Sequence, residues 1–106
     1  MNKSVKLKWK KALISGEYKQ GKEVLKQLDN SFCCLGVLCD IHSKETDTSW
    51  DENAYGATYR NESIELPPEV VEWAGIDFDI QEKLIDMNDI QDKSFIDIAY
   101  YIDKNL

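Results

Sequence analysis

The feature that most constrains the fold is a predicted helix with apolar side chains around most of its circumference. From Phe32 to about Lys44 the chain reads FCCLGVLCDIHSK, in which leucines, an isoleucine and three cysteines point in most directions. Such a helix has little solvent face, so the rest of the chain must surround it. Glycine inside a helix costs about 1 kcal/mol relative to alanine, and Gly36 therefore indicates that another element crosses closely there. Asn30 or Ser31 is the expected N-cap.

Three other segments are predicted to be helices from their apolar spacing and end signals. The first covers residues 4–16 and ends at a glycine. A short helix begins at two consecutive prolines and stops at Gly75. The last begins at the N-cap Ser94, where Asp97 completes a capping box. The apolar face expected for the first helix consists of Val5, Trp9, Leu13 and Ile14.

The remaining segments indicate a small amount of β-structure. Residues 57–66, ATYRNESIEL, alternate apolar and polar side chains about a turn and predict a β-hairpin. Residues 18–32 fit a short strand or a helical turn, with the strand favoured, and residues 84–89 fit a strand or a helix end. The fold class is therefore α+β: a single compact domain over residues 1–106, with about four helices packed around a small antiparallel β-sheet or hairpin.

Charge is distributed unevenly along the chain, whose net charge is −7. Residues 1–28 carry eight lysines against two glutamates, whereas residues 29–106 carry five Lys or Arg against eighteen Asp or Glu. We expect the two parts to attract each other and pack together. A uniformly basic nucleic-acid binder is excluded, although a local basic face on the first helix stays open.

No segment of the sequence has the pattern of a membrane span or a secretory signal. The longest apolar run, CCLGVLC, has seven residues, against the roughly 20 that a spanning helix needs. The lysine-rich start of the chain lacks a continuous apolar region. We therefore expect a cytoplasmic location and no membrane partner, and the odd number of cysteines fits reduced thiols.

The three cysteines are predicted to pack the core. Cys33 and Cys34 are adjacent and diverge by about 100° on a helix, so with Cys39 they lack the paired spacing of a zinc site. His42, the single histidine, lies too far along the helix to activate Cys33 or Cys34 as a base. We expect no metal, no cofactor and no catalytic residue. Whether the protein is an enzyme stays open, and the sequence favours a function without catalysis.

Candidate ligand-binding residues lie in predicted loops and turns, where binding groups concentrate. Tyr18-Lys-Gln-Gly21 combines an aromatic ring, a cation, an amide and a flexible backbone N–H, although it also fits a helix-ending turn. Trp50 and Tyr55 can stack on a planar ligand or cover the core. The acidic stretch that precedes the last helix can contact a ligand or cap that helix. The candidate set is Tyr18, Lys19, Gln20, Gly21, Trp50, Tyr55, Asn88 and Asp89.

The order of these motifs resembles a family of small proteins encoded by bacteriophages and prophages. The matching stretches are SGEYKQG, FCCLGVLCD, the LPP before WAG, MND and SF..IA, and FCCLGVLCD is the most specific of them. The resemblance covers nearly the whole chain and implies a phage accessory protein in the cytoplasm of a bacterial host. Such proteins often blunt host defence, so an anti-defence role is the implied setting.

Three functions are compatible with the sequence. The first is the binding and sequestration of a nucleotide-like immune signalling molecule by the candidate residues. The alternative is an inhibitor that binds a host defence protein through its acidic surface. The third is a small metal-dependent hydrolase built on the acidic residues around Asp86 and Asp89. A homo-oligomer is compatible with each of the three.

Overall fold

Five α-helices and one two-stranded β-hairpin form the described part of the computed structural model, which covers residues 1–54 and 56–106. The hairpin is antiparallel and pairs Asp51 with Thr58. The fold is therefore α+β, as expected, with five helices where about four were predicted. In chain order the elements are α1 (Lys3–Ile14), α2 (Cys34–Thr46), β1 (Asp51–Asn53), β2 (Gly56–Thr58), α3 (Pro68–Ala74), α4 (Phe78–Asp89) and α5 (Phe95–Asn105).

Helix α2 is the centre of the core, which confirms the prediction from its apolar circumference. Every residue from Cys34 to Cys39 is buried. A Cβ placed on Gly36 would lie 1.8 Å from the carbonyl oxygen of Leu25, so the segment before α2 crosses the helix at this glycine, as predicted. The expected N-cap was wrong. The cap residue is Cys33 in extended backbone, without a side-chain hydrogen bond, because the preceding residues form a separate turn.

Helices α1 and α5 pack on the core much as their patterns predicted. Val5, Trp9 and Leu13 of α1 are buried, and Trp9 Nε1 donates a hydrogen bond of 2.9 Å to the carbonyl oxygen of Cys34. Ile14, expected on the same face, is instead 56% exposed at the helix end. The capping box predicted at Ser94 is present at the start of α5.

Helix α4 was missed, because residues 84–89 were interpreted as a strand or a helix end. It begins at the N-cap Asp77, whose side chain accepts a hydrogen bond from the backbone N–H of Ile80. Two of its buried positions are the polar residues Gln81 and Asn88. Polar residues on the inner face weaken the helical hydrophobic pattern, so the sequence did not show a helix of this length.

The β-structure is smaller than expected and lies at the surface. The hairpin predicted at residues 57–66 is wrong: the strands are Asp51–Asn53 and Gly56–Thr58, and β1 is fully exposed. The predicted segment instead contains a tight turn, closed by two hydrogen bonds between Tyr59 and Glu62. In place of the strand favoured for residues 18–32, Gln20 and Lys26 each form an isolated bridge to Phe32. Helices α1, α3 and α4 therefore pack against α2, helix α5 packs on α1 and α4, and the hairpin lies at the periphery.

Charge pairing between the two parts of the chain occurs as predicted. Five of the eight lysines in residues 1–28 form ion pairs with carboxylates of residues 29–106. Exposed pairs of this kind contribute about 0–1 kcal/mol each, so their main effect is to neutralise the basic surface. The pairs are Lys8–Glu45, Lys10–Asp103, Lys19–Asp29, Lys22–Asp92 and Lys26–Glu52.

Among the described residues, none of the five helices has the length and apolar character that a membrane-spanning helix needs.

Candidate functional site

Two of the predicted residues, Tyr18 and Trp50, meet in an aromatic cluster with Phe32. The Phe32 ring packs edge to face against both, at centroid distances of 5.1 Å from Tyr18 and 5.9 Å from Trp50. The carboxylate of Asp40 fixes the outer rings, because it accepts hydrogen bonds from Tyr18 Oη at 2.5 Å and from Trp50 Nε1 at 3.0 Å. Burial and the hydrogen bond to Asp40 raise the pKa of Tyr18, so its hydroxyl stays protonated at neutral pH.

Lys26 contacts both the aromatic cluster and Glu52 of the β-hairpin. Its Nζ lies 5.3 Å from the Trp50 ring centroid and 5.6 Å from that of Phe32, within cation–π range. The same atom pairs with the Glu52 carboxylate at 2.6 Å, and the Lys26 side chain is only 13% exposed. A partly desolvated cation with a single exposed counter-ion is suited to exchanging that carboxylate for another anion.

An open groove runs between the segment 24–29 and the β-hairpin, and Lys26 forms part of its wall. Its volume is about 640 Å³, within the range of small-molecule sites. Gln27, Thr58 and Ser63 contribute polar groups, and Val24 is among the apolar lining residues. We call this feature the hairpin groove.

Asp29 lines the hairpin groove as well and remains ionised. Hydrogen bonds from Ser31 and the neighbouring Lys19 lower its pKa to about 2. Lys19, one of the predicted residues, is exposed and uses its Nζ to contact Asp29 at 3.1 Å. The groove therefore contains one cation and one anion on the same segment.

Four predicted residues form a second group, a hydrogen-bonded network between the loop after α1 and the end of α4. Gln20 Nε2 donates to Asn88 Oδ1 at 2.9 Å and to the carbonyl oxygen of Lys93 at 2.8 Å. Asn88 Nδ2 donates to the carbonyl oxygen of Gly21 at 2.9 Å and to Asp89 Oδ1 at 2.8 Å. Asn88 is fully buried, and these contacts engage its amide within the protein. The network anchors the loop to α4.

The two groups meet through the backbone of Phe32. Gly21 N–H donates to the Phe32 carbonyl oxygen at 2.7 Å, and Phe32 N–H donates to the Lys19 carbonyl oxygen at 2.9 Å. A Cβ on Gly21 would lie 2.5 Å from Ser31 Oγ, so glycine permits this close approach. The eighth predicted residue, Tyr55, lies outside the described residues.

The whole chain, residues 1–106, matches the family described as Domain of unknown function (DUF8296). The chain belongs to this family. No curated protein and no solved structure matches it. The family description names no activity for this DUF8296 protein.

Sequence reasoning missed three residues of the site: Phe32, Asp40 and Lys26. Asp40 carried a usable signal, because it is the one carboxylate in the otherwise apolar FCCLGVLCD stretch, and Phe32 marks the other end of that stretch. Lys26 carried none, because nothing distinguishes it in the sequence from the other seven lysines of residues 1–28.

Burial favours the uncharged forms of the thiols and of the imidazole in this DUF8296 protein. Burial raises the pKa of Cys33 to about 11 and the pKa values of Cys34 and Cys39 well above that of a free thiol. All three cysteines are free and buried, which confirms the packing prediction. Burial lowers the pKa of His42, whose Nδ1 lies 2.6 Å from Tyr59 Oη. Within the described residues, no group of three or more His, Cys, Asp or Glu is placed to hold a metal.

Proposed function

We propose that this DUF8296 protein binds and sequesters a nucleotide-like molecule in the hairpin groove, as a phage accessory protein that counters host defence. The observation that carries the proposal is the groove of about 640 Å³ with the partly buried cation Lys26 in its wall. The resemblance to phage proteins supplies the biological setting. A nucleotide-like signalling molecule is the ligand class that fits the groove, because it combines an anionic phosphate with a base and a sugar that form hydrogen bonds.

The groove offers matching groups for each part of such a ligand. The Lys26 ammonium can bind a phosphate in place of Glu52, so the cation has a counter-ion before and after the ligand binds. The Gln27 amide and the hydroxyls of Thr58 and Ser63 line the same groove and can bind base and sugar edges. The described lining of the groove includes neither a cysteine nor a histidine, so the groove is suited to holding the ligand chemically intact.

Thermal unfolding against a panel of cyclic dinucleotides, cyclic trinucleotides and ADP-ribose derivatives tests the proposal. Ligand at about 100 times its Kd adds about 2.7 kcal/mol to the free energy of unfolding, which in a domain of this size raises Tm by about ten degrees or more. Recovery of unchanged ligand after denaturation distinguishes sequestration from cleavage. A flat panel at millimolar ligand contradicts the proposal.

Three variants assign the ligand to the hairpin groove. Lys26→Ala should weaken binding at least tenfold by calorimetry, because it removes the cation from the wall. Glu52→Gln should tighten the binding of an anionic ligand severalfold, because it removes the competing carboxylate. Lys10→Ala is the matched control, because it removes another partly buried, ion-paired lysine, and neither Lys10 nor its partner Asp103 lines the groove. Equal affinity of the Lys26 and Lys10 variants would place the ligand elsewhere.

The second candidate is an inhibitor that binds a host defence protein through an acidic surface. Five exposed carboxylates lie near or on α3 and the first half of α4, and none has an ion-pair partner among the described residues. A complex formed this way should dissociate as salt increases, and charge reversal at this surface should abolish it in a pull-down. The carboxylates are Glu65, Glu72, Asp77, Asp79 and Glu82.

The third proposal, a metal-dependent hydrolase at Asp86 and Asp89, has no supporting observation of its own. Asp86 accepts a hydrogen bond of 2.5 Å from Gln91 Nε2, and Asp89 accepts one of 2.8 Å from Asn88 Nδ2. Turnover that is lost on chelation, and lost again in Asp86→Ala, would support it over sequestration.

A further inference from the structure

A second groove, separate from the hairpin groove, lies between α4 and α5. Its volume is about 470 Å³, and its apolar lining includes Met87, Ile96, Tyr100 and Tyr101. Ile96 and Tyr100 are 63% and 64% exposed, one helical turn apart on α5. Large apolar side chains this accessible, next to each other and beside a groove, are typical of an interaction site. We call this feature the α4–α5 groove.

The edge of the α4–α5 groove is basic, although the surrounding chain is acidic. Lys93 and Lys104 line the groove, and Lys83 lies beside it with Nζ 6.0 Å from the Tyr101 ring centroid. Lys104 Nζ lies 5.3 Å from the ring centroid of Tyr100. Residues 29–106 contain only five Lys or Arg against eighteen Asp or Glu. Three of those five cations therefore gather at one place.

These three lysines differ from the other cations of the same region in their pairing. Lys44 and Arg60 pair with Asp40 and Glu69, whereas none of the three at the groove has an ion pair within the described residues. The groove also contains one carboxylate, Asp97, which accepts a hydrogen bond from the backbone N–H of Ser94 in the capping box. The local charge is therefore positive and available to a partner.

We propose that the α4–α5 groove binds a segment of a partner protein that presents apolar side chains flanked by aspartate or glutamate. The exposed Ile96 and Tyr100, with the groove between the helices, match apolar side chains spaced along such a segment. The three lysines match its flanking carboxylates, and charge complementarity of this kind steers association and sets the binding register. Because the apolar groups line a concavity, a narrow protein segment fits them better than a flat lipid surface. This proposal is independent of the ligand in the hairpin groove.

The chemistry of the partner can be tested with random peptides. A ribosome-displayed library of random 14-residue peptides is selected on the immobilised full-length protein, and enriched sequences are synthesised with a fluorescent label for anisotropy. We expect enriched peptides to carry at least two Asp or Glu beside apolar residues and to bind more weakly as salt rises. No enrichment, or enrichment of basic or uncharged peptides, overturns the proposal.

Variants at exposed positions locate the binding surface. Tyr100→Ala should weaken the selected peptide at least tenfold, and Lys104→Glu should weaken it at least fivefold and reduce its salt dependence. The matched controls are Ile14→Ala and Lys11→Glu, which remove an exposed apolar side chain and an exposed lysine from α1. Circular dichroism confirms that each variant is folded. Equal weakening by the controls, or unchanged binding in Tyr100→Ala, overturns the proposal.

Two further measurements separate the other occupants of such a surface. Sedimentation with vesicles of anionic phosphatidylglycerol tests a membrane, and analytical ultracentrifugation tests a second copy of the chain. Vesicle binding or self-association that is abolished by Tyr100→Ala would assign the α4–α5 groove to that occupant and overturn the proposal. Absence of both, together with acidic peptides that require Tyr100 and Lys104, supports it.

Discussion

Replacement of Gly36 by alanine should destabilise the protein, although alanine is the better helix former. The added Cβ would lie 1.8 Å from the Leu25 carbonyl oxygen, whereas a carbon and an oxygen in close contact are normally about 3.3 Å apart. The neighbouring atom belongs to the backbone, so it cannot rotate away as a side chain would. The segment containing Leu25 must therefore move outward from α2 by about 1.5 Å.

The expected loss in the free energy of unfolding follows from the contacts that this movement breaks. Leu25 is fully buried, and exposing a buried leucine costs about 1.5–3 kcal/mol. The hydrogen bond of 3.3 Å from Cys33 N–H to the Leu25 carbonyl oxygen is also lost, at about 1 kcal/mol. Alanine returns about 1 kcal/mol of helix propensity. The net loss in the free energy of unfolding is about 1.5–3 kcal/mol.

Urea unfolding followed by circular dichroism measures this loss as a shift of the midpoint at constant slope. Lys11→Ala is the control, because it places alanine at an exposed position of α1 and should stay within about 0.5 kcal/mol of the parent. Ligand affinity in the hairpin groove should fall as well, because Lys26 directly follows Leu25. A Gly36→Ala variant as stable as the parent would refute the close crossing of the two segments.

Three other predictions concern groups buried or capped in the fold. All three thiols should resist iodoacetamide in the folded protein and react after denaturation, as read by mass spectrometry. Cys34→Ser should lower the free energy of unfolding by about 1–3 kcal/mol, because the Cys34 thiol donates to the Leu84 carbonyl oxygen over 3.8 Å, a distance too long for a hydroxyl hydrogen bond. The lowered pKa of His42 means that the unfolded chain binds a proton near pH 6.5 before the folded protein does. The free energy of unfolding should therefore decrease as pH falls through 6.5 and level off below the folded pKa, and His42→Gln should flatten this slope; an identical slope in the variant would contradict it. Ser94→Ala removes the α5 cap and should cost about 1 kcal/mol in urea unfolding, and no loss would mean that the cap contributes little to stability.

Much of the helical structure could be predicted because its signals are local. The apolar circumference of α2, the glycine that ends α1 and the capping box at Ser94 each depend on residues within a few positions of one another. Helix α4 could not be predicted in full, because two of its inward positions are polar. Gln81 accepts a hydrogen bond from the backbone N–H of Leu66, and Asn88 donates one to the carbonyl oxygen of Gly21. Those partners are distant in the sequence.

The candidate site shows the same division. The sequence identified Tyr18 and Trp50 as aromatic rings in polar surroundings, and the structure brings them together on Asp40. Lys26 could not be distinguished from the other lysines by sequence. Which lysine lies in the groove wall depends on which segment crosses α2 and lies beside the hairpin. The predicted network residues are adjacent in space, as Gln20 and Asn88 show, but their polar groups contact one another.

The sequence by itself determined that this chain has a buried central helix, α-helices at both ends, a basic segment over residues 1–28 and an acidic remainder. Apolar periodicity, capping and charge composition operate over a few residues or over whole segments, so they can be read without coordinates. Tertiary structure alone decided which polar residues are buried, where the hairpin forms and which cations stay unpaired. Each of those outcomes requires a partner from a distant segment, and its desolvation cost is offset only once the chain has folded.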